Sequence, residues 1–437
     1  MAFSLLQPIL PKDKTSPSCW GQLHGCSQSL LIARTLKQHH GLSVLITEDT
    51  HSAYKAEEEI RFFMGTEDIT GIKIHIFPDW ETLPYDIFSP LEDIVSDRLI
   101  TLTALPQMTS GLLIVSIQSL LHRLAPTDFI HAHSLQLSVG ETLETDTFRD
   151  QLQKAGYRHV TQVMEHGEYA NRGSLIDLFP MGAKQPFRID LFDNQVETIR
   201  SFDPETQRSI DQLQSIELLP AHEFPLTEEG ITTFKQNYRS QLEGDLSKSA
   251  VYQSVSDGMA PAGVEYYLPL FFEQTATLFD YLPNNTLILK SANINTNAIA
   301  FLQTVHDRYE QRRHDNQRPI LNPEQLYLKP ESINQTLENY PQIVLHSFKQ
   351  DKNCHNYPSA ILPSLRIQAR AETPLAAIHE FLESQNNRTL FIAESPGRKE
   401  ELLSLLTDNQ YSLTQVESWQ QFLDSDARHC ITVAPVE

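Results

Sequence analysis

The stretch "CWGQLHGCSQSLLIARTL", residues 19–36, decides the fold. It reads as a short strand, a glycine-bearing turn and a helix, the outline of a phosphate-binding loop. The spacing predicts a helix over 28–38, with Leu30, Leu31, Ala33 and Leu36 near one stripe. Working outward, residues 42–47 (LSVLIT) and 112–116 (LLIVS) are short, continuous apolar runs, the pattern of strands buried on both faces. Between them lie a predicted helix over 51–64, a strand over 73–77 stopped by Pro78, and a helix over 90–105 with Glu92 and Asp93 in its first turn. Such alternation implies a parallel sheet with helices on both faces.

A working loop of the GxxxxGK type, followed by Ser or Thr, needs glycines to curl the backbone around phosphate. It also needs a lysine for the β and γ phosphates and a hydroxyl for magnesium. Here Gln22 stands at the first glycine position, Ser27 at the second and Gln28 at the lysine position. Gly25 and the hydroxyl of Ser29 remain. A neutral amide cannot replace the lysine's charge against a triphosphate. The acidic half of such a site belongs after a later strand. The best candidate, over 286–289, is followed by Lys290, Ser291, Ala292 and Asn293, with no carboxylate. The expectation is a nucleotide-hydrolase scaffold without its chemistry. It has no catalytic residue, cofactor or metal, and only the weak pull of a helix N-terminus on phosphate remains.

The character changes near His133. Residues 135–218 carry one predicted helix (147–155) and several short strands. Residues 187–192 alternate in period two, and Asp193-Asn194 supplies a hairpin turn before a strand over 196–199. From 220 to 289 the pattern is mixed again. A polar helix over 295–313 follows, and the phrase RYEQRRHDNQR (308–318) at its end carries four arginines interleaved with Glu310 and Asp315, as on a solvated face. Residues 375–437 read as a small α/β unit. The division is 1–133 and 219–353 for the α/β domain, 134–218 for a β-rich (α+β) insertion, and 354–437 for the last unit.

The net charge is −22, and every part is acidic: 9 Lys and Arg against 15 Asp and Glu in residues 1–134, 8 against 14 in 135–218, and 17 against 27 in the remainder. This disfavours a nucleic-acid surface and fits a protein partner. Cys19, Cys26, Cys354 and Cys430 form no CxxC pair, so reduced thiols are expected, with neither disulfide nor zinc site. No apolar run approaches the roughly 18 residues that span a bilayer, and the N-terminus lacks a leader's basic flank. A cytoplasmic protein is expected. Glu57-Glu58-Glu59 reads as an exposed helix turn, and His131 and His133 lack a third ligand.

Four phrases carry a resemblance: "FPDWETLPYDIFSP" (77–90), "HGEYANRGSLIDLFPMG" (166–182), "PFRIDLFDNQVETIRSFDPETQRS" (186–209) and "GVEYYLPLFFEQTATLFDYLP" (263–283). They closely resemble the bacterial transcription-repair coupling factors. The resemblance implies a degenerate UvrB-like domain with an inserted UvrA-binding domain, then an α/β domain of unclear role. It also implies that ATP- and magnesium-dependent translocation on duplex DNA and the contact to RNA polymerase belong to further domains, which the 437 residues do not show.

The family's UvrA contact falls on Arg172, Arg188 and Phe192. Alternation supports the last two: Phe187, Ile189 and Leu191 share one face, and Arg188, Asp190 and Phe192 the other. A phenylalanine beside an arginine on a polar face has the composition of a binding hot spot. Arg172 rests on the resemblance, because its strand is apolar on both parities, and Asp190 is expected only to pair within the sheet. The expectation is that Arg188→Ala or Phe192→Ala weakens UvrA binding by about 2 kcal/mol or more with folding retained. The rivals are a nucleotide-dependent UvrB-like repair enzyme and a structural clamp on the motor.

Overall fold

The computed structural model describes residues 4–11, 14, 17–65, 71–243, 245–367, 375–384 and 387–436. The strands are β1 (Ser18–Gly21), β2 (Leu42–Thr47), β3 (Ile74–Phe77) and β4 (Gly111–Ser116), separated by helices α1 (Ser27–Gln38), α2 (Thr50–Met64) and α3 (Glu92–Ala104). They join β13 (Leu287–Ser291), β14 (Gln342–Leu345) and β15 (Cys354–Asn356) in a seven-stranded parallel sheet. Its order is β15-β1-β14-β13-β2-β4-β3.

All six positions of β2 and of β4 are buried because the sheet is covered twice. Leu45 and Ile114 pack under Leu31, Ile32, Ile60 and Phe63 of α1 and α2. Val44, Ile46, Leu113 and Val115 face Leu99 and Leu102 of α3. Each such side chain contributes roughly 1.5–3 kcal/mol by leaving water. Helix α2 begins one residue before its predicted start because the Asp49 carboxylate accepts the Ser52 N–H at 2.7 Å.

The insertion leaves and returns through β5 (Leu135–Ser138) and β12 (Ser215–Leu218), which pair antiparallel. Between them lie α4 (Thr145–Lys154) and a second sheet of β6 (Arg158–His159), β7 (Glu168–Arg172), β8 (Leu175–Phe179), β9 (Phe187–Phe192), β10 (Gln195–Phe202) and β11 (Ser209–Leu213), ordered β11-β10-β9-β8-β7-β6. The β9–β10 turn forms as expected: Asp193 and Asn194 take φ +48° and +61°, the left-handed pair a tight hairpin needs.

A third, parallel sheet, β16 (Thr389–Ala393), β18 (His429–Val433) and the two-residue β17 (Thr414–Gln415), packs with α5 (Pro396–Asp408) and short helices on either side of it in the chain. Trp419 meets Phe63 of α2 edge-on at 5.1 Å. The fold is thus α/β with a parallel sheet, a β-rich insertion and a small α/β unit. Among the described residues no helix is long and apolar enough to cross a membrane.

The expectation of four reduced thiols fails. Cys19 and Cys354 are joined in a disulfide across 335 residues. They face each other in register on neighbouring strands β1 and β15. The sheet order creates that proximity, and spacing along the chain cannot show it. Cys26 and Cys430 are free.

Candidate functional site

Two places collect the residues singled out in the sequence. The first is a cavity of about 500 Å³ at the C-terminal ends of the parallel strands, lined by Gly25, Gln28, Ser29, Glu48, Glu59 and Asn293 among others. Ligands bind at such ends in open α/β sheets.

The loop keeps a curled path without its glycine: Gln22 takes φ +61° and Gly25 +54°. Its interior is filled by the chain itself. The Ser359 hydroxyl accepts the His24 N–H at 2.9 Å and donates to the Gln22 carbonyl at 2.5 Å. The Gln22 side-chain amide donates to the Ser359 carbonyl at 3.0 Å, and Ser27 is turned to the His24 carbonyl at 2.7 Å.

Ser29, which kept the magnesium-binding hydroxyl, spends it on Glu59 at 2.5 Å. Here the expectation for Glu57-Glu58-Glu59 is corrected. The helical period turns Glu58 outward but buries Glu59 beside Ala56 and Ile60. A second carboxylate comes from the end of β2: Glu48 accepts from the Ser291 hydroxyl at 2.5 Å and from the Asn293 amide at 3.0 Å. Glu48 was missed in the sequence, although it directly follows a predicted strand. Gln28 lines the cavity without charge. Burial, and then Glu59, push the neighbouring Cys26 thiol up to about 11. A triphosphate would meet the Glu48 and Glu59 carboxylates, with Lys55 of α2 in the lining but no cation at the position of Gln28.

The second place is one face of the six-stranded sheet. Opposed residues in antiparallel strands project to the same side. One row runs Ala170, Asp177, Arg188, Arg200, and the next Arg172, Leu175, Asp190, Thr198. Arg172, Arg188 and Phe192 therefore emerge on one face, with Arg172 and Arg188 two strands, roughly 10 Å, apart. Ile176, Leu178, Ile189, Leu191 and Ile199 fill the core behind the other face. Register settles the side of Arg172, which alternation left open.

The three are not equivalent. Phe192 is 67% exposed beside the turn. Arg172 is exposed and donates one N–H to the Thr161 carbonyl at 2.7 Å. Arg188 is largely spent inside the protein. Its Nε and Nη2 bind the Asp177 carboxylate at 2.7 and 2.9 Å, Nη1 reaches the Gln207 carbonyl at 3.3 Å, and the guanidinium lies 4.8 Å over Phe202. The hydrogen bonds that its guanidinium donates to the Asp177 carboxylate raise the Arg188 pKa. The Arg188 side chain is 17% exposed and that of Asp177 only 4%. Retained folding in Arg188→Ala does not follow from this geometry, because the substitution strands a buried carboxylate. Asp190 pairs within the sheet, as expected, accepting from Arg200 and from the Thr198 hydroxyl.

The UvrB interaction domain matches residues 135–224, and the MFD D3 domain matches residues 381–437. The chain is similar to the transcription-repair-coupling factor of Haemophilus influenzae, 39% identical over 425 residues that cover 96% of this chain and 36% of that protein. It is 41% identical to the Escherichia coli protein of the same name over 400 residues, 91% of this chain and 34% of that one. The Rickettsia conorii counterpart is 28% identical over 412 residues. The chain spans about a third of the length of these curated relatives.

Proposed function

Because this chain belongs to the transcription-repair-coupling factor family, we propose that its inserted sheet docks UvrA, bringing excision repair in the cytoplasm to RNA polymerase stalled at DNA damage. The observation that carries this reading is the shared face of Arg172, Arg188 and Phe192, within the region matched by the UvrB interaction domain. Phe192 offers a large apolar ring already in water, and Arg172 a guanidinium with free donors. Arg188 is a rigid cationic wall held by Asp177. The complementary surface is a recess for the ring with a carboxylate near Arg172.

In this reading the 437 residues hold no nucleotide chemistry. ATP-driven movement on duplex DNA and the contact to polymerase are assigned to other parts of the whole protein. The rival enzyme would need a cation where Gln28 stands and would have to seat a triphosphate against Glu48 and Glu59.

The test is a calorimetric titration with UvrA of the chain, Phe192→Ala and Arg172→Ala. Loss of about 2 kcal/mol of affinity, roughly thirtyfold in Kd, is expected for Phe192→Ala. Affinity unchanged in both variants sinks the proposal.

A further inference from the structure

The phrase that follows β3, "FPDWETLPYDIFSP", plays no part in the docking just described, yet it displays apolar side chains in water. Leu83 is 56% exposed, Ile87 44%, Phe88 64% and, one residue beyond the phrase, Leu91 71%. A loose loop could show this by chance, but this backbone is fixed. Glu81 and Tyr85 take φ +56° and +59°, a region that costs a non-glycine residue of order 1 kcal/mol or more and persists only where the surroundings impose it.

Those surroundings are visible. The Tyr85 ring is buried, 5.9 Å from Tyr266 and 5.8 Å from Tyr309. The Tyr266 hydroxyl donates to the Leu83 carbonyl at 2.8 Å, and Arg308 Nε donates to the Pro84 carbonyl at 2.6 Å. Ser89 accepts the Gly263 N–H at 3.0 Å. The buried tyrosines pin the loop, and its aliphatic and phenyl side chains are held outward. A surface fixed in this way loses little freedom on binding.

Charge selects the occupant. Residues 79–97 contain Asp79, Glu81, Asp86, Glu92, Asp93 and Asp97 and no lysine or arginine. Of the cationic groups that come from elsewhere, Arg308 donates to the Pro84 carbonyl and Arg318 to that of neighbouring Ala262, Arg98 is buried on Glu223 and the Pro78 carbonyl, and His166 meets Asp93 at 2.8 Å. Nucleic acid and anionic membranes are repelled by this rim, and a second copy would bring its own carboxylates to the same place. We propose that Leu83, Ile87, Phe88 and Leu91 form a second docking surface, for a protein segment whose apolar contacts are flanked by Lys or Arg, as on one face of a basic amphipathic helix.

The test uses a fluorescent 14-residue helical peptide of leucine and lysine, with a leucine–glutamate peptide as its counterpart. Anisotropy titrations compare the chain with Phe88→Ser/Leu91→Ser, which leaves the charge unchanged. Far-UV circular dichroism and the melting temperature confirm that this variant, altered only at exposed positions, is folded. Binding of the basic peptide weakened at least tenfold by the double substitution, with no binding of the acidic peptide, supports the proposal. Equal binding by both chains, or none by the intact chain, overturns it. So does a concentration-dependent dimer in sedimentation that the substitutions abolish, which would make the occupant a second copy.

Discussion

Replacing Arg188 by alanine removes the partner of a carboxylate that has little access to water. Asp177 is 4% exposed and faces Arg188 directly across β8 and β9. The substitution deletes two charge-assisted hydrogen bonds and the guanidinium stacked on Phe202. Breaking a buried pair by removing one member costs roughly 3–5 kcal/mol. Arg188 keeps some contact with solvent, so the lower end applies, about 3 kcal/mol. The assay is denaturant unfolding followed by circular dichroism, with amide exchange of β8 and β9 to localise the loss. Arg188→Met/Asp177→Leu removes both charges and is expected to recover most of the stability. Phe192→Ala, at an exposed site, stays within about 0.5 kcal/mol of the unaltered chain. Arg188→Ala at full stability, or a double variant no better than the single one, refutes the reasoning. UvrA affinity lost in Arg188→Ala alone therefore cannot separate a lost contact from a loosened sheet, and Phe192→Ala and Arg172→Ala can.

Two further outcomes follow from buried groups. Burial pushes Glu265 up to about 7 from its ordinary 4.5, against the hydrogen bond from Ser89. Because the folded value is the higher one, the stability tied to its proton is full below about pH 4.5 and is lost as pH rises through about 7. Glu265→Gln should gain on the order of 1–2 kcal/mol at pH 8 and flatten the melting temperature between pH 5 and 8; superimposable profiles would show that Glu265 is not desolvated. Thiol titration of the denatured, unreduced chain should find two thiols, Cys26 and Cys430, rising to four on reduction. Cys354→Ser should lower stability by about 2–5 kcal/mol, and four thiols at the outset would contradict the Cys19–Cys354 bond.

What could be read from the sequence follows from how far each interaction reaches. The strands β2 and β4 were legible because burial on both faces leaves continuous apolar runs, and the β9–β10 hairpin because Asp193-Asn194 has a local signature. Parity put Phe192 on the polar face, and only the resemblance made it a candidate contact. Glu59 was not, since three successive glutamates look alike until the phase of α2 is fixed. The Arg188–Asp177 pair needed the register of two strands, and the side of Arg172 needed that of three. Ser359 and the Cys19–Cys354 bond depend on the order of the large sheet, which joins segments more than 330 residues apart. Here the resemblance supplied the family and three candidate interface positions, and the structure shows that one of them, Arg188, is part of the insertion's own framework.

The strand order has a consequence for the newborn chain. β1 lies between β14 and β15, so the first strand made is flanked by the last two to join the sheet. At roughly 5–20 residues per second, the ribosome needs about 20 to 70 seconds to deliver both neighbours. Throughout that interval Trp20, buried in the finished sheet, belongs to an unpaired strand that chaperones can hold. A chain cut short before Cys354 cannot flank β1 on both sides. An incomplete copy therefore carries β1 as its sheet edge in place of the short β15, the kind of defect that quality-control proteases recognise.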